Sequence, residues 1–545
     1  MHAGGPHRLA AAAAAAGSSS GSGSVGGDGC LDADLAEPQQ PRSPHPALIN
    51  ADFAPTPLSE RHWDWTDFTS FWITLVISIP TYFLAASLVD LGMSWTQGIA
   101  TVFIGNIITL APMVLNAHPG TKYGVPFPVL ARASFGIRGA NLPSLSRALV
   151  ACGWFGIQTW IGGSAIYTLA DTATGGALRA AAAAAAAVPA GGVSAPEFAC
   201  FVAFWALQLG IVMRGMEGIR ALEKYSAPLL IALSVALLAW ALSAAGGFGP
   251  MLSMPSQFAP GMPQEGKLLS VLIPAVTANV GFWGTLSLNI PDFTRYARSQ
   301  RDQVVGQAIG LPLFMALFTF LGLAVTSATV VIYGAPIVDP VQLVGKMKGA
   351  LPVCIALFGL MWATLTTNIA ANVVAPANAF VNIAPEWMTF NRGALLTAVI
   401  GLAIQPWRLI SSSSGFINTW LVGYSALLGP VIGVVMADYW IVRRTKLDVD
   451  ALFTNGPNSA YWYSGGWNPA AIAAVVLGTL PSLPGLLASA GVLSGVPPLF
   501  LSLYDAAWFV GVTISTVVYV ALMGAGASLA ARAPGGSGGC VPKPA

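Results

Sequence analysis

Trp154 and Gln158 stand four residues apart in the apolar stretch Trp154-Phe155-Gly156-Ile157-Gln158-Thr159-Trp160, the spacing that puts two side chains on one face of a helix. An indole offers a flat face on which a planar ring stacks. A carboxamide offers both donors and an acceptor, which match the edge of an imide or a nucleobase. A second apolar stretch carries Thr364, Thr366, Thr367, Asn368 and Asn372, with the two asparagines again four apart. Hydroxyls and freed carbonyls are hard oxygen ligands suited to Na⁺, and the amides suit a neutral heterocycle. Any one of these residues can equally hold helices together; the assembly of two Trp, one Gln, one Asn and paired Thr points to a binding site. Chemistry of the catalytic kind has little to work with. All five histidines precede residue 119, the five cysteines are scattered without a CxxC pair, HExxH and P-loop patterns are missing from the chain, and GxSxG occurs only in the low-complexity tails, at 17–21 and 535–539, so an enzyme is the weaker reading.

The elements that must position these residues follow from composition. Of 545 residues only 8% are charged and 55% are hydrophobic, where soluble domains carry roughly 25% charge. Water cannot solvate such a surface, so the fold class is an all-α polytopic membrane protein. A net charge of +2 provides no basic footprint for nucleic acid. Windows long enough to cross the bilayer occur twelve times, near 71–91, 95–115, 145–170, 197–214, 226–245, 268–290, 306–333, 351–382 with an interruption, 393–410, 418–441, 468–490 and 503–529. With both termini cytoplasmic, thirteen Lys and Arg fall in the even-numbered loops, from Lys122 to Lys446, and five in the odd-numbered ones (Arg179, Lys267, Lys346, Lys348, Arg408). That is the asymmetry of cytoplasmic loops. Flanking this transporter domain at 61–530 are an Ala/Gly/Ser-rich tail at 1–60, readable as disordered or as a transit peptide, and a disordered tail at 531–545. An Ala-rich loop occupies 171–196.

Two spans carry break signals in corresponding places. Ile79-Pro80-Thr81-Tyr82 lies within the first, and Asn279-Val280-Gly281-Phe282-Trp283-Gly284 within the sixth. Proline removes a backbone donor, and glycine lets the chain unwind. Discontinuous helices one and six are the pattern of a five-plus-five inverted repeat, whose broken backbone faces a substrate near the bilayer midplane. Charged residues concentrate near the predicted span ends, so the midplane reads as neutral and a carboxylate proton relay is disfavoured.

At these residues the chain resembles the nucleobase-cation symporter family of purine, uracil, allantoin and hydantoin permeases. The matching stretches include GTKYGVPFPVLARASFGIRG and GWFGIQTW within 119–160, MEGIRALEKYSAP (216–228), VGFWGTLSLNIPDFTRYAR (280–298), TTNIAANVVAPAN (366–378) and LLGPVIGVVMADYWIVRRTKLD (427–448). The resemblance implies a LeuT-like fold of twelve transmembrane helices and cation-coupled uptake of a nucleobase or hydantoin-like molecule by alternating access. It implies that Trp154 and Trp283 sandwich the substrate, that Gln158 and Asn372 bond its edge, and that the backbone at Gly281 and Phe282 adds a contact. The cation, Na⁺ or H⁺, would lie between spans one and eight at the Ala363 carbonyl and the Thr366 and Thr367 hydroxyls. Ile77 stands on the span-one side, and Ser78 or Ile79 takes the family's glutamine position. Leu421 is the expected gate. Phe282 departs from the glycine of a hydantoin-transporting relative, which bears on pocket size. The remaining expectations are a monomeric unit in the lipid bilayer of the plasma membrane, with a plastid or other organelle envelope as the alternative. The alternative function is a similar carrier for a vitamin-like neutral solute, or a channel.

Overall fold

The structure, a computed structural model, describes residues 40–184, 193–408 and 419–532, apart from 254, 336, 338 and 348. Most of the N-terminal tail, part of the Ala-rich segment and the end of the C-terminal tail lie outside the described residues. Among those described, regular structure is helical. The first span is two half-helices, α1 (Trp65–Val76) and α2 (Ile79–Asp90), bent by 59°. Then follow α3 (Trp95–Tyr123), α4 (Phe127–Phe135), α5 (Asn141–Ala173), α6 (Ala195–Val212), α7 (Gly215–Ala245) and α8 (Leu268–Asn289). The chain continues through α9 (Phe314–Tyr333), α10 (Ala350–Asn372), α11 (Val374–Ile383), α12 (Phe390–Ala403), α13 (Val422–Met436), α14 (Pro469–Thr479) and α15 (Ala507–Arg532).

Among the described residues ten helices are long and apolar enough to cross a membrane, or eleven with the bent first pair counted as one span. Among the described residues, the ninth expected span, 393–410, has the 14-residue α12, which rises about 21 Å, short of a hydrocarbon core of about 30 Å. The break in the first span precedes its proline. Ile77 leaves helical geometry, and the Ser78 side chain caps α2 by accepting from the Thr81 backbone N–H. Pro80 thus sits in the first turn of a new helix, where a missing N–H costs nothing. The interruption expected in span eight falls at Val373, between α10 and α11.

Span six does not break. Helix α8 runs unbroken through Gly281 and Gly284, which corrects the expectation of a discontinuous helix there. The glycines serve close packing instead. A Cβ on Gly281 would lie 2.0 Å from Ser425 Oγ and 3.1 Å from the Leu421 carbonyl oxygen, and one on Gly284 would meet Trp508 at 3.5 Å. Two further expectations change. The Ala-rich segment is helical over Ala177–Ala184, as the strong helix propensity of alanine favours. Residues 46–60, assigned to the tail, pack onto the body: Phe53 is fully buried and the His45 N–H donates to the Phe453 carbonyl.

One large apolar core gathers side chains of α1, α5, α8, α10, α13 and α15, including Trp72, Trp154, Trp283 and Leu421. A second, smaller core joins Phe53, Tyr123, Val129, Tyr439, Leu452 and Tyr461. Buried Arg132 ties this second core by donating to the Leu48 and Leu452 carbonyls and to Asn382 Oδ1. This accounts for much of the motif content in 119–138 and 427–448, which fastens one end of the helix bundle.

Candidate functional site

The broken first span, α5, α8 and α10 meet around one internal cavity. Trp154 and Gln158 reach it from α5, Phe282 and Trp283 from α8, and Thr367 and Asn372 from α10. Ser78, Arg147, Thr285, Leu286 and Ala371 complete the lining. The free space is about 20 Å³, room for one water, because the aromatic rings fold onto each other. Phe282 packs edge-on against both tryptophans, at 5.7 Å from Trp154 and 4.9 Å from Trp283. Trp72 meets Trp283 edge-on at 5.3 Å, and Trp420 meets Trp154 at 6.0 Å.

The polar groups are aimed by a network behind them. Asn372 Nδ2 donates to Asn368 Oδ1 at 2.9 Å, and Asn368 Nδ2 donates to Gln208 Oε1 at 2.7 Å and to Thr159 Oγ1 at 3.2 Å. Gln208 Nε2 in turn donates to Thr159 Oγ1 at 3.0 Å. With these partners fixed, the Asn372 carbonyl oxygen remains as an acceptor. Gln158 Oε1 is buried and has no hydrogen-bond partner, although an orphaned buried acceptor is costly. Arg147 Nε donates to Asn289 Oδ1 at 2.8 Å and Nη2 to the Ala371 carbonyl at 2.9 Å, while Nη1 is buried without a partner. The cavity therefore combines aromatic faces, amide acceptors and one guanidinium NH2 still to be used.

Arg147 corrects the expectation of a neutral site. It lies seven residues before Trp154, two helical turns away on the same face, which is the signal in the sequence that could have found it. Its charge is masked at sequence level because its partners come from α8 and α10. Ser78, Thr285 and the supporting Gln208 are also additions. Gly281 is not among the lining residues; it faces Ser425 and Leu421 on the thirteenth helix.

Leu421, at the start of α13, is fully buried, and its carbonyl accepts from Ser425 Oγ at 2.6 Å. Its neighbour Trp420 touches Trp154, so this segment abuts the cavity. The residues expected around the cation also converge. Ile77 and Ala363 share a small apolar cluster. Thr367 Oγ1 donates to the Thr74 carbonyl at 2.9 Å, across the end of α1, and Thr366 Oγ1 donates to the Ala363 carbonyl at 3.0 Å. Each hydroxyl keeps lone pairs after donating and so can still act as an oxygen ligand. Among the described residues no group of three or more His, Cys, Asp or Glu could hold a metal ion.

With this geometry in hand, comparison with known proteins is specific. Residues 55–511 match the family model described as permease for cytosine/purines, uracil, thiamine, allantoin. The chain is 52% identical over 478 residues to a purine-uracil permease of Arabidopsis thaliana, covering 88% of this chain and 78% of that one. It is 38% identical to an allantoin permease of Bacillus subtilis, covering 87% and 93%. In fold it is similar to a nucleobase-cation-symport-1 family transporter solved in a closed conformation with bromovinylhydantoin bound. That match has a TM-score of 0.72 and 24% identity, over 88% of this chain and 96% of the other.

Proposed function

Because the chain belongs to the family of permeases for cytosine/purines, uracil, thiamine and allantoin, we propose that it is a cation-coupled symporter for nucleobases and related planar heterocycles, among them adenine, guanine, uracil and allantoin. The carrying observation is that Trp154, Gln158, Phe282, Trp283 and Asn372, from three helices distant in sequence, line one cavity. Trp154 and Trp283 take the two faces of the base once Phe282 swings aside. Gln158 Oε1 and the Asn372 carbonyl oxygen accept from its N–H groups, and Arg147 Nη1 donates to a ring carbonyl oxygen.

The coupling cation binds where α1, α2 and α10 meet, near Ile77, the Ala363 carbonyl and the Thr366 and Thr367 hydroxyls. Because Thr367 both touches α1 and lines the cavity, cation and base share one wall, and each stabilises the arrangement that the other needs. Leu421 and Trp420 close over the loaded site. The protein is an integral membrane protein and moves its substrate unchanged. We place it in the plasma membrane as a monomer, with an organelle envelope as the alternative, and with both termini cytoplasmic, on the strength of the loop charges.

Uptake of labelled adenine, guanine, uracil and allantoin into deficient cells, with and without Na⁺ or a pH gradient, tests this reading. Cation-dependent accumulation of at least one base is expected. Uptake that merely equilibrates, indifferent to every gradient, would identify a channel.

A further inference from the structure

An ionisable group outside the base site is Glu223, 2% exposed, in the first third of α7, a helix long and apolar enough to cross a membrane. A carboxyl buried there without a role is a liability. Its Oε1 has no hydrogen-bond partner, and its Oε2 touches Thr74 Oγ1 at hydrogen-bond distance. Thr74 lies in the last turn of α1, and its backbone carbonyl accepts from Thr367. A second strut ties the same face of α7 to α10, since Trp362 Nε1 donates to Ser226 Oγ at 2.7 Å, three residues beyond Glu223.

The donor count at Thr74 leaves room for a proton on the carboxyl. Its one hydroxyl hydrogen also has the Phe71 carbonyl at 2.9 Å and the Ser70 carbonyl at 3.1 Å to serve. Those carbonyls only accept. When the hydroxyl donates to its own helix, the contact with Glu223 needs a hydrogen from the carboxyl. Among the described residues no cation is paired with Glu223 either. Arg220 and Lys224 on the same helix are turned to Asp67 of α1, at 3.0 and 2.8 Å, and Glu217 pairs with His62 and Arg220. On the other elements packed against α7, Glu197 caps its own helix with Ser194, and Tyr333 donates to the Lys346 carbonyl. Asp302, in the helical segment leading into α9, bonds Ser299 and Arg298. The remaining titratable groups there are Cys200, half-buried, and Cys354, exposed. Among the described residues, the polar side-chain contact to the Glu223 carboxyl comes from Thr74.

We propose that Glu223 is a proton-binding site that couples transport: the carboxyl takes up a proton, latches α7 to Thr74 of α1, and gives the proton up when that contact opens. This rests on the reading of the chain as a cation-coupled base carrier and assigns its ion as H⁺, held on Glu223 in place of a metal cation at the Thr366 and Thr367 hydroxyls. In the neutral form the carboxyl donates to Thr74, and the Thr74 carbonyl holds Thr367 at the cavity wall. In the ionised form, a buried charge without a partner favours the arrangement that admits water. The base site is thereby linked to the proton through two side chains, and linkage runs both ways.

The full chain in proteoliposomes tests this with labelled uracil. With one proton per base, an inward gradient of about one pH unit drives about tenfold accumulation, unaffected by replacing Na⁺ with K⁺. Glu223→Gln should equilibrate the label without concentrating it. Accumulation by Glu223→Gln equal to wild type, or accumulation driven by a Na⁺ gradient alone, overturns the assignment. Thr74→Val offers a second route should the first variant fail to fold. It removes the partner of Glu223 and should shift the pH of half-maximal uptake, and an unshifted profile also overturns the assignment. Wild-type vesicles that move none of the four bases would overturn the base-carrier reading itself, an outcome distinct from failure at Glu223.

Discussion

Trp154 gives the cavity its stacking surface from α5, and truncating it removes one face of the base. Trp154→Ala should cost about 1–3 kcal/mol of binding, as loss of one base–aromatic stack does, or roughly 5- to 150-fold in Kd measured by competition for labelled uracil. Arg147 allows a more selective test. Lysine cannot keep the bonds to Asn289 and Ala371 and still present a third N–H to the cavity. Arg147→Lys should therefore raise KM for uracil, which has ring carbonyls, more than for adenine, which has none; equal increases would make Arg147 a structural tie alone. Trp154, Gln158 and Asn372 were legible in the sequence because stacking faces and amides at four-residue spacing are rare inside apolar spans. Arg147 and Glu223 were not, because what makes a buried charge tolerable is long-range. The partners of Arg147 are Asn289 and Ala371, more than a hundred residues away, and that of Glu223 is Thr74.

Helix α8 carries Trp283 to the cavity while leaning on α13 through Gly281. The contact is tight enough that a methyl group has no room, with Ser425 Oγ 2.0 Å from the position of a Cβ. Gly281→Ala should lower thermal stability in detergent by about 1–3 kcal/mol, the usual cost of overpacking, and reduce uptake as α8 is pushed from α13. Adding Ser425→Ala removes the nearest atom and should restore part of both; an additive double variant would show that the two positions do not meet. Composition and periodicity were enough to find the spans, because apolar runs of membrane length are a strong signal. They could not distinguish a glycine that unwinds a helix from one that lets two helices touch, since that depends on a neighbour 140 or so residues away in sequence. Pro80 was read correctly as a sign of a broken span, but the break falls at Ile77 and Ser78 because the capping side chain, not the proline, starts the new half-helix.

Over the whole molecule, charge is scarce and its placement carries information. Loop charges supply the expected topology, yet the count of twelve spans rests on a ninth segment whose described residues hold a short helix. Near one end of the bundle, burial pushes the Asp292 carboxyl up to about 6 from an ordinary 3.8, against the opposing effects of its bond from the Phe127 N–H and of nearby Arg295. A folded-state value above the ordinary one means that the native protein binds the proton more tightly. Stability should thus fall as pH rises from about 4 through about 6 and level off beyond. Asp292→Asn keeps an acceptor for Phe127 and removes the titration, so its Tm should vary less than that of wild type across this window; parallel Tm curves would discount Asp292. The central claim, that a planar base is carried in the cavity between α5, α8 and α10, is tested most directly by measuring cation-dependent uptake of labelled adenine, guanine, uracil and allantoin for wild type, Trp154→Ala and Asn372→Ala side by side. The account predicts that wild type accumulates at least one base and that both variants lose apparent affinity for it. Unchanged uptake of every base in both variants would contradict it.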